Sequence, residues 1–451
     1  MQDGKGNADG SSPSKRVLII AYYWPPAGGP GVQRWLKFAK YLPDNGWEPV
    51  MLVPDGAAYP VLDASLESDV PPSLSVHRVP IFEPYEAAMK LFSRKKAERL
   101  GSVSSGKSKP GLTQRLMLWC RGNLLLPDPR VLWRRKAVSE AIRLIRKAAK
   151  EGQPFQAIVT TGPPHSVHLI GLDVKRKVGL PWISDFRDPW REMDYLKDFM
   201  PTARTHRRHL QLEGLVVRSS DLVLMTSKGI RTSFSVHPDA ADKLTLIPNG
   251  WDETDVPTGA PQDRNLTEHQ ASWNIGHFGS LFPIRNAPGL WQAMAMWNEQ
   301  GHPPIHLHCY GVVNPEVAQA LDRHLPGQWT HHGYVAHRDA IVAMQHMDTL
   351  LMLQNRSESG RHAIPGKAFE YLAIGKPMAV VTPTPSDLAD LMTEWGFSTI
   401  GYDDRTEAHD LLKSLHQHPG PDPALRQRYK RSALTRELSD ALDRLTHQAA
   451  H

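Results

Sequence analysis

Gly366-Lys367-Ala368-Phe369-Glu370-Tyr371-Leu372-Ala373-Ile374-Gly375-Lys376-Pro377 is the stretch that decides how the rest of the chain is read. Its pattern predicts a helix that opens on Gly366 and Lys367, carries Glu370 one turn in and stops at Gly375, ahead of Pro377. The unpaired amides of a helix start, with a lysine beside them, suit phosphate oxygens. A carboxylate one turn further on can accept hydrogen bonds from a ribose diol. One short segment thus offers both halves of a grip on a nucleoside diphosphate. Taken alone, it is equally an ordinary amphipathic helix with Lys367 and Glu370 in solvent.

A second glycine-rich segment stands at the other end of the chain. Residues 17–22 (VLIIAY) form a short apolar run of buried-strand type. They lead into residues 23–31 (YWPPAGGPG), and then into helical spacing at Val32, Leu36, Ala39, Tyr41 and Leu42. With a further strand at 49–54 this is the opening βαβ unit of a Rossmann-like domain. Gly28, Gly29 and Gly31 fall as G-G-x-G, and Pro25-Pro26 lengthen the loop where a dinucleotide fingerprint needs a tight first turn. A dehydrogenase, with Asp55 as its ribose acid, is therefore disfavoured.

Five segments, in order, resemble bacterial glycosyltransferases of the GT-B fold, in particular the retaining family 4: 21–34 (AYYWPPAGGPGVQR), 161–190 (TGPPHSVHLIGLDVKRKVGLPWISDFRDPW), 247–252 (IPNGWD), 277–286 (HFGSLFPIRN) and 364–377. The resemblance spans roughly residues 16 to 400. It implies an α/β architecture of two Rossmann-like, doubly wound domains facing an interdomain cleft. Strands are expected at 17–22, 49–54, 157–161, 182–185, 222–226 and 244–248 in the first half. In the second they are expected at 273–278, 305–310, 330–334, 349–353 and 378–382, alternating with helices. The expected organisation is a disordered tail over 1–15, a first domain over 16–254 with a basic insertion at about 86–136, a linker over 255–270, a second domain over 271–422 and a terminal helix over 423–451. A hinge is expected near 249–252.

Bulk properties agree. At 451 residues the chain exceeds one ordinary core. Hydrophobic content of 40% and charged content of 22% are those of a globular protein. Cys120 and Cys309 make neither a disulfide framework nor a metal spacing, which suits a reducing cytoplasm. The first residues are polar and lack the apolar core of a signal peptide. No run approaches the ~20 apolar residues of a membrane span.

The net charge of +6 conceals an asymmetry: residues 90–150 hold 17 Lys and Arg against three acids, Glu98, Asp128 and Glu140. Large apolar residues, among them Leu91, Phe92, Trp119, Leu125 and Trp133, are interleaved with them. Such a pattern over 90–136 fits an anionic membrane surface at the inner face of the plasma membrane, or an anionic lipid-linked acceptor. The plainer reading places the apolar residues in a core and the charges on a solvated helix face. Nothing frames the charges as a nucleic-acid module.

For site residues, the resemblance implies a diphosphate grip after Gly279. Many family members carry an arginine directly after this glycine and a lysine five positions on; here Ser280 and Arg285 occupy those positions. Arg285 is carried over, and Lys367 is expected to supply the second cation. Glu370 matches the second of two family glutamates, the one that binds the donor ribose. His362 stands at the position of the first, which usually touches the transferred sugar, and Glu358 is nearby. In the first half, His165 and the cluster Asp185, Arg187 and Asp188 follow strands, where acid–base chemistry and acceptor binding are expected, and Trp190 offers a stacking surface. The plainer reading of that cluster is a local ion-pair and capping arrangement. His306, His308, His331 and His332 lack metal-site spacing, so neither a metal nor a cofactor is expected. The expected activity is transfer of a sugar from a nucleoside diphosphate sugar to a glycan or lipid-linked acceptor in polysaccharide biosynthesis. A nucleotide-sugar epimerase or hydrolase of the same fold, with His165 and Asp185 as its acid–base pair, and a non-catalytic nucleotide-sugar binder are the alternatives.

Overall fold

In the computed structural model of the protein, residues 15–83, 112–191, 195–256 and 272–449 are described. Residues 1–14 of the expected tail, residues 86–111 of the insertion and nearly all of the linker lie outside them, whereas Lys15, read with the tail, opens the first strand. Two parallel sheets organise the chain. The first has seven strands in the order β3-β2-β1-β4-β5-β6-β7: β1 Lys15–Ala21, β2 Trp47–Asp55, β3 Ser75–Pro80, β4 Phe155–Gly162, β5 Trp182–Phe186, β6 Leu222–Met225 and β7 Leu244–Leu246. The second has six in the order β10-β9-β8-β11-β12-β13: β8 Trp273–Phe278, β9 Ile305–Tyr310, β10 Trp329–Gly333, β11 Thr349–Leu353, β12 Met378–Val381 and β13 Thr399–Ile400.

The central strands are covered on both faces by helices, so they read as continuous apolar runs. Val17, Leu18, Ile19 and Ile20 of β1 and Leu350 and Leu351 of β11 are wholly buried. The order within each sheet reverses beside its first strand, β1 or β8, the switch point at which open α/β sheets place ligands. The chain separates into two compact units, one of residues 1–187, 201–224 and 435–451, the other of 188–200 and 225–434. Residues 225–254, read from the sequence with the first domain, fall in the second unit.

Two strands escape the sequence pattern. β3 is an edge strand with only Val79 buried, and β13 has two residues. The terminal helix expected from 423 is two helices, Pro423–Arg428 and Arg431–Ala449. At the break, the Trp251 amide donates to the Tyr429 carbonyl at 3.1 Å, and the Arg431 amide donates to Trp251 at 2.8 Å. Further along, Asp443 accepts from Lys15 (2.6 Å) and from the Trp47 indole (2.9 Å), closing the first unit.

Helix Arg134–Lys150 buries Ala137, Val138, Ala141, Ile142, Leu144, Ile145 and Ala148 against helix Ser166–Val178. Its other face exposes Arg135, Lys136, Arg143, Arg146, Lys147 and Lys150. An open groove of about 740 Å³ runs beside it, lined also by Asp173 and Lys177. The interleaved apolar residues divide between the two readings of the sequence. Trp133 is core, its indole donating to Val79 O at 3.1 Å, whereas Leu116, Trp119, Leu124 and Leu132 are exposed. Among the described residues, no helix is long and apolar enough to cross a membrane.

Candidate functional site

In the second unit the decisive stretch folds as read. Helix Gly366–Ile374 has Pro365 as its N-cap with no side-chain cap, which leaves its first amides to a ligand, and it ends at Gly375 in the left-handed conformation (φ 79°). The loop after β8 runs beside it. Gly279 donates to Tyr310 O at 2.8 Å and packs backbone to backbone on Gly311, where a Cβ would come within 2.6 Å of Gly279 O. A Cβ on Gly279 itself would lie 3.8 Å from Lys367 Cε, so the bare glycine and the lysine stem border one space.

Arg285 is held in this loop by two bonds. Its Nε donates to Asn355 Oδ1 at 2.6 Å and its Nη1 to Ser280 O at 2.9 Å. Nη2 makes no hydrogen bond among the described residues, so one edge of the guanidinium remains for an anion. Lys367 is two-fifths exposed and lies 4.0 Å from Glu370 Oε2, too far for a hydrogen bond. That oxygen is buried and has no hydrogen-bond partner among the described residues. A buried carboxylate oxygen without a donor is costly, and a ligand hydroxyl would satisfy it. Two cations, an uncapped helix start and an unsatisfied acid therefore converge within the second unit.

Two residues to which the sequence reading gave no role complete the arrangement. Tyr371 OH donates to Leu351 O and accepts from the Phe278 amide, both at 3.2 Å, fixing helix Gly366–Ile374 to the end of β8 and the middle of β11. His277, one residue before Phe278, is buried, with Nδ1 3.1 Å from the same Leu351 carbonyl. Burial, with the charges of Arg285 and Lys367 adding to it, pulls its pKa down to about 4. A histidine interrupting the apolar run of β8, two positions before a glycine, was the available signal.

Between β11 and helix Gly366–Ile374 lies the short helix Glu358–His362. Ser357 caps it, accepting from the Gly360 amide at 3.2 Å, and Gln354 Nε2 donates to Gly360 O (2.8 Å) and Ala363 O (2.7 Å). The His362 carbonyl accepts from Ser227 Oγ at 3.1 Å, and its ring abuts Gly229, where a Cβ would come within 2.6 Å of Nδ1. Glu358 is exposed and lies 3.5 Å from Arg361.

In the first unit the expected cluster is occupied by structural bonds. Asp185 is wholly buried, and its carboxylate accepts from Arg34 Nη2 at 2.9 Å and Nε at 3.1 Å, Trp35 Nε1 at 2.7 Å and Thr161 Oγ1 at 2.9 Å. Arg187 donates to three carbonyls: Gly162 O at 3.2 Å, Pro163 O at 2.7 Å and Gly31 O. A Cβ on Gly31 would sit 2.7 Å from the Arg187 guanidinium, which would have to shift to admit it. Of the other loop glycines, the Gly28 amide is engaged with Val61 O at 2.9 Å, and Gly29, at φ 86°, precedes helix Pro30–Tyr41. His165 is buried and its ring lies 5.8 Å from Phe186. Its neighbour His168 is 2.9 Å from Thr160 Oγ1, and burial lowers its pKa to about 3. Asp188 and Trp190 fall in the second unit, which divides the six-residue cluster. Trp190 is buried, so the face offered for stacking is covered. Among the described residues, no group of three or more His, Cys, Asp or Glu side chains is placed to hold a metal ion.

Compared with solved structures, the chain is similar over nearly its whole length to several proteins at low identity. Anabaena HepE in complex with UDP and glucose is 15% identical, with 97% of this chain and 98% of that one covered, at a TM-score of 0.54. Sucrose-phosphate synthase from Thermosynechococcus elongatus is 14% identical, covering 96% and 97%, at 0.54. A putative UDP-N-acetylglucosamine 2-epimerase from Listeria monocytogenes is 12% identical, covering 96% and 97%, also at 0.54. No protein-family model and no curated protein matches the chain. These likenesses show the fold: the chain is a GT-B protein, with two Rossmann-like sheets.

Proposed function

We propose that the protein is a glycosyltransferase that binds a nucleoside diphosphate sugar in its second unit and passes the sugar to a glycan or lipid-linked acceptor. The observation that carries this reading is that the second unit holds Arg285, Lys367 and the open helix start at Gly366 together with Glu370, whose buried Oε2 lies 4.0 Å from Lys367 and awaits a donor. The cations and amides match a diphosphate, and the carboxylate matches a ribose diol. As the bond to the sugar breaks, charge develops on the leaving diphosphate. Donors already fixed by Asn355, Ser280 and the helix stabilise that charge without reorganising. Anomeric retention, a role in cell-surface polysaccharide synthesis and action without a metal follow from the family resemblance. The nucleotide of choice is UDP, because HepE holds UDP. The exposed cations of helix Arg134–Lys150, with Leu116, Trp119 and Leu132 in the same unit, support docking on an anionic membrane.

An epimerase has a specific observation in its favour. The fold likeness to the putative 2-epimerase has the same TM-score as that to HepE, and by the family resemblance His362 stands where the transferases often carry glutamate. Thermal shift with UDP, GDP, ADP, CMP and NAD, with and without magnesium, tests the site. A ligand at ~100 times its Kd adds ~2.7 kcal/mol. Incubation with the matching nucleotide sugars then separates the readings. Free nucleoside diphosphate released only with an acceptor supports transfer, a sugar inverted at one carbon supports epimerisation, and binding without turnover supports a non-catalytic protein.

A further inference from the structure

We propose that His277 is the positioning residue for Lys367, accepting a hydrogen bond from the lysine ammonium when a diphosphate is bound, so that the ammonium bridges the imidazole and the phosphate. The inference rests on the nucleotide-sugar reading of the second unit. His277 occupies the penultimate position of β8 and is 4% exposed. Its Nδ1 faces the Leu351 carbonyl at 3.1 Å, and a carbonyl can only accept, so Nδ1 carries the proton. Nε2 is therefore left with a lone pair. It is buried and meets no hydrogen-bond partner among the described residues.

That lone pair points towards the space beside Gly279. A Cβ on Gly279 would be 3.7 Å from His277 Nε2 and 3.8 Å from Lys367 Cε. Imidazole and lysine stem thus flank one gap that the missing side chain leaves open. A phosphate oxygen cannot satisfy Nε2, because both would be acceptors. The ammonium can, since it has three donors and is not held by a hydrogen bond to Glu370 Oε2, 4.0 Å away. Ammonium held by Nε2 presents its remaining hydrogens to phosphate, with less side-chain entropy left to lose on binding. Ser280, which stands where relatives place an arginine, supplies no cation there, so fixing Lys367 carries more of the grip.

The test is calorimetric binding of UDP, uridine and inorganic pyrophosphate to the full chain and to His277→Phe, His277→Gln, Lys367→Met and the double variant His277→Phe/Lys367→Met. The expected result is that His277→Phe weakens UDP and pyrophosphate about tenfold, leaves uridine unchanged, and costs nothing further once Lys367 is Met. His277→Gln, which keeps an acceptor oxygen, retains most of the affinity and guards against a folding defect in the Phe variant. Penalties for His277→Phe and Lys367→Met that multiply, or UDP binding unmoved by His277→Phe, would overturn the inference while leaving the donor site standing. If the unaltered protein binds neither UDP nor pyrophosphate, the donor site and this inference fall together.

Discussion

Replacing Asp185 by Asn tests whether this acid is chemical or architectural. The substitution keeps the shape and removes the charge. Arg34 is 0% exposed, so its guanidinium would lose the buried carboxylate it pairs with at 2.9 Å. An amide nitrogen at either former oxygen would also face a donor. Oδ1 accepts from Arg34 at 2.9 Å, and Oδ2 accepts from Trp35 at 2.7 Å and Thr161 at 2.9 Å. Breaking a buried pair from one side costs about 3–5 kcal/mol. For a unit of ~200 residues at 2–4 °C per kcal/mol, that is a fall in Tm of roughly 6–20 °C. Differential scanning calorimetry, with urea unfolding to confirm an unchanged m-value, measures it. Arg34→Met with Asp185→Leu replaces the pair by apolar groups and is expected to recover most of the ion-pair cost. Trp35 and Thr161 would still lack an acceptor, at about 1–3 kcal/mol each. An Asp185→Asn protein that melts within about 2 °C of the unaltered one yet has lost all turnover would refute the structural role and return Asp185 to the chemistry.

Glu370→Ala is expected to weaken UDP by about 10- to 100-fold in calorimetry, the loss of a charged acceptor for the ribose, with pyrophosphate affinity nearly unchanged; equal losses for both ligands would contradict the ribose assignment. Stability should fall with acidity. Folded His277 stays neutral down to about pH 4 while the unfolded chain protonates near 6.5, so the unfolded state takes up the extra proton as pH drops between those values, of order 3 kcal/mol in all, and nothing is lost above 6.5. His168, neutral down to about pH 3, acts with the same sign. The slope of unfolding free energy against pH should flatten by ~1 kcal/mol per unit in His277→Gln, and an unchanged slope would mean that His277 does not titrate as described. Reversing Arg146, Lys147 and Lys150 to Glu should lower partitioning onto vesicles rich in anionic lipid at least ~100-fold, at about 1 kcal/mol per charge, whereas equal binding would move membrane contact off this helix.

What the sequence made legible follows from what burial does to a parallel sheet. β8, β9 and β11 have the bounds read from the sequence: β11 shows as an apolar run, while β8 and β9 keep enough apolar residues to be read although Asn274, His277, His306 and His308 interrupt them, and glycine marks the turn after β8. β3 gives no such signal, because an edge strand with one buried residue has little hydrophobic pattern to display. Helix Gly366–Ile374 was readable because both its ends are written locally, at Gly366 and Gly375. Glu358–His362 was not, because the groups that sustain it include Gln354, whose amide turns back on two carbonyls further along the chain. The first-unit acids show the deeper limit. Position at a strand's end is visible in one sequence, but a carboxylate's role depends on which donors reach it. Asp185 meets Arg34 across 151 residues of chain, and Arg187 meets Gly31 across 156. Both partners stand in segments that the family resemblance picks out, so those segments mark a fold that needs a rigid ligand-end loop as much as they mark chemistry. Glu370 differs from Asp185 in one respect that only the folded chain reveals: the oxygen left unsatisfied. That difference moves the candidate site out of the acid-rich cluster of the first unit and into the second, beside His277.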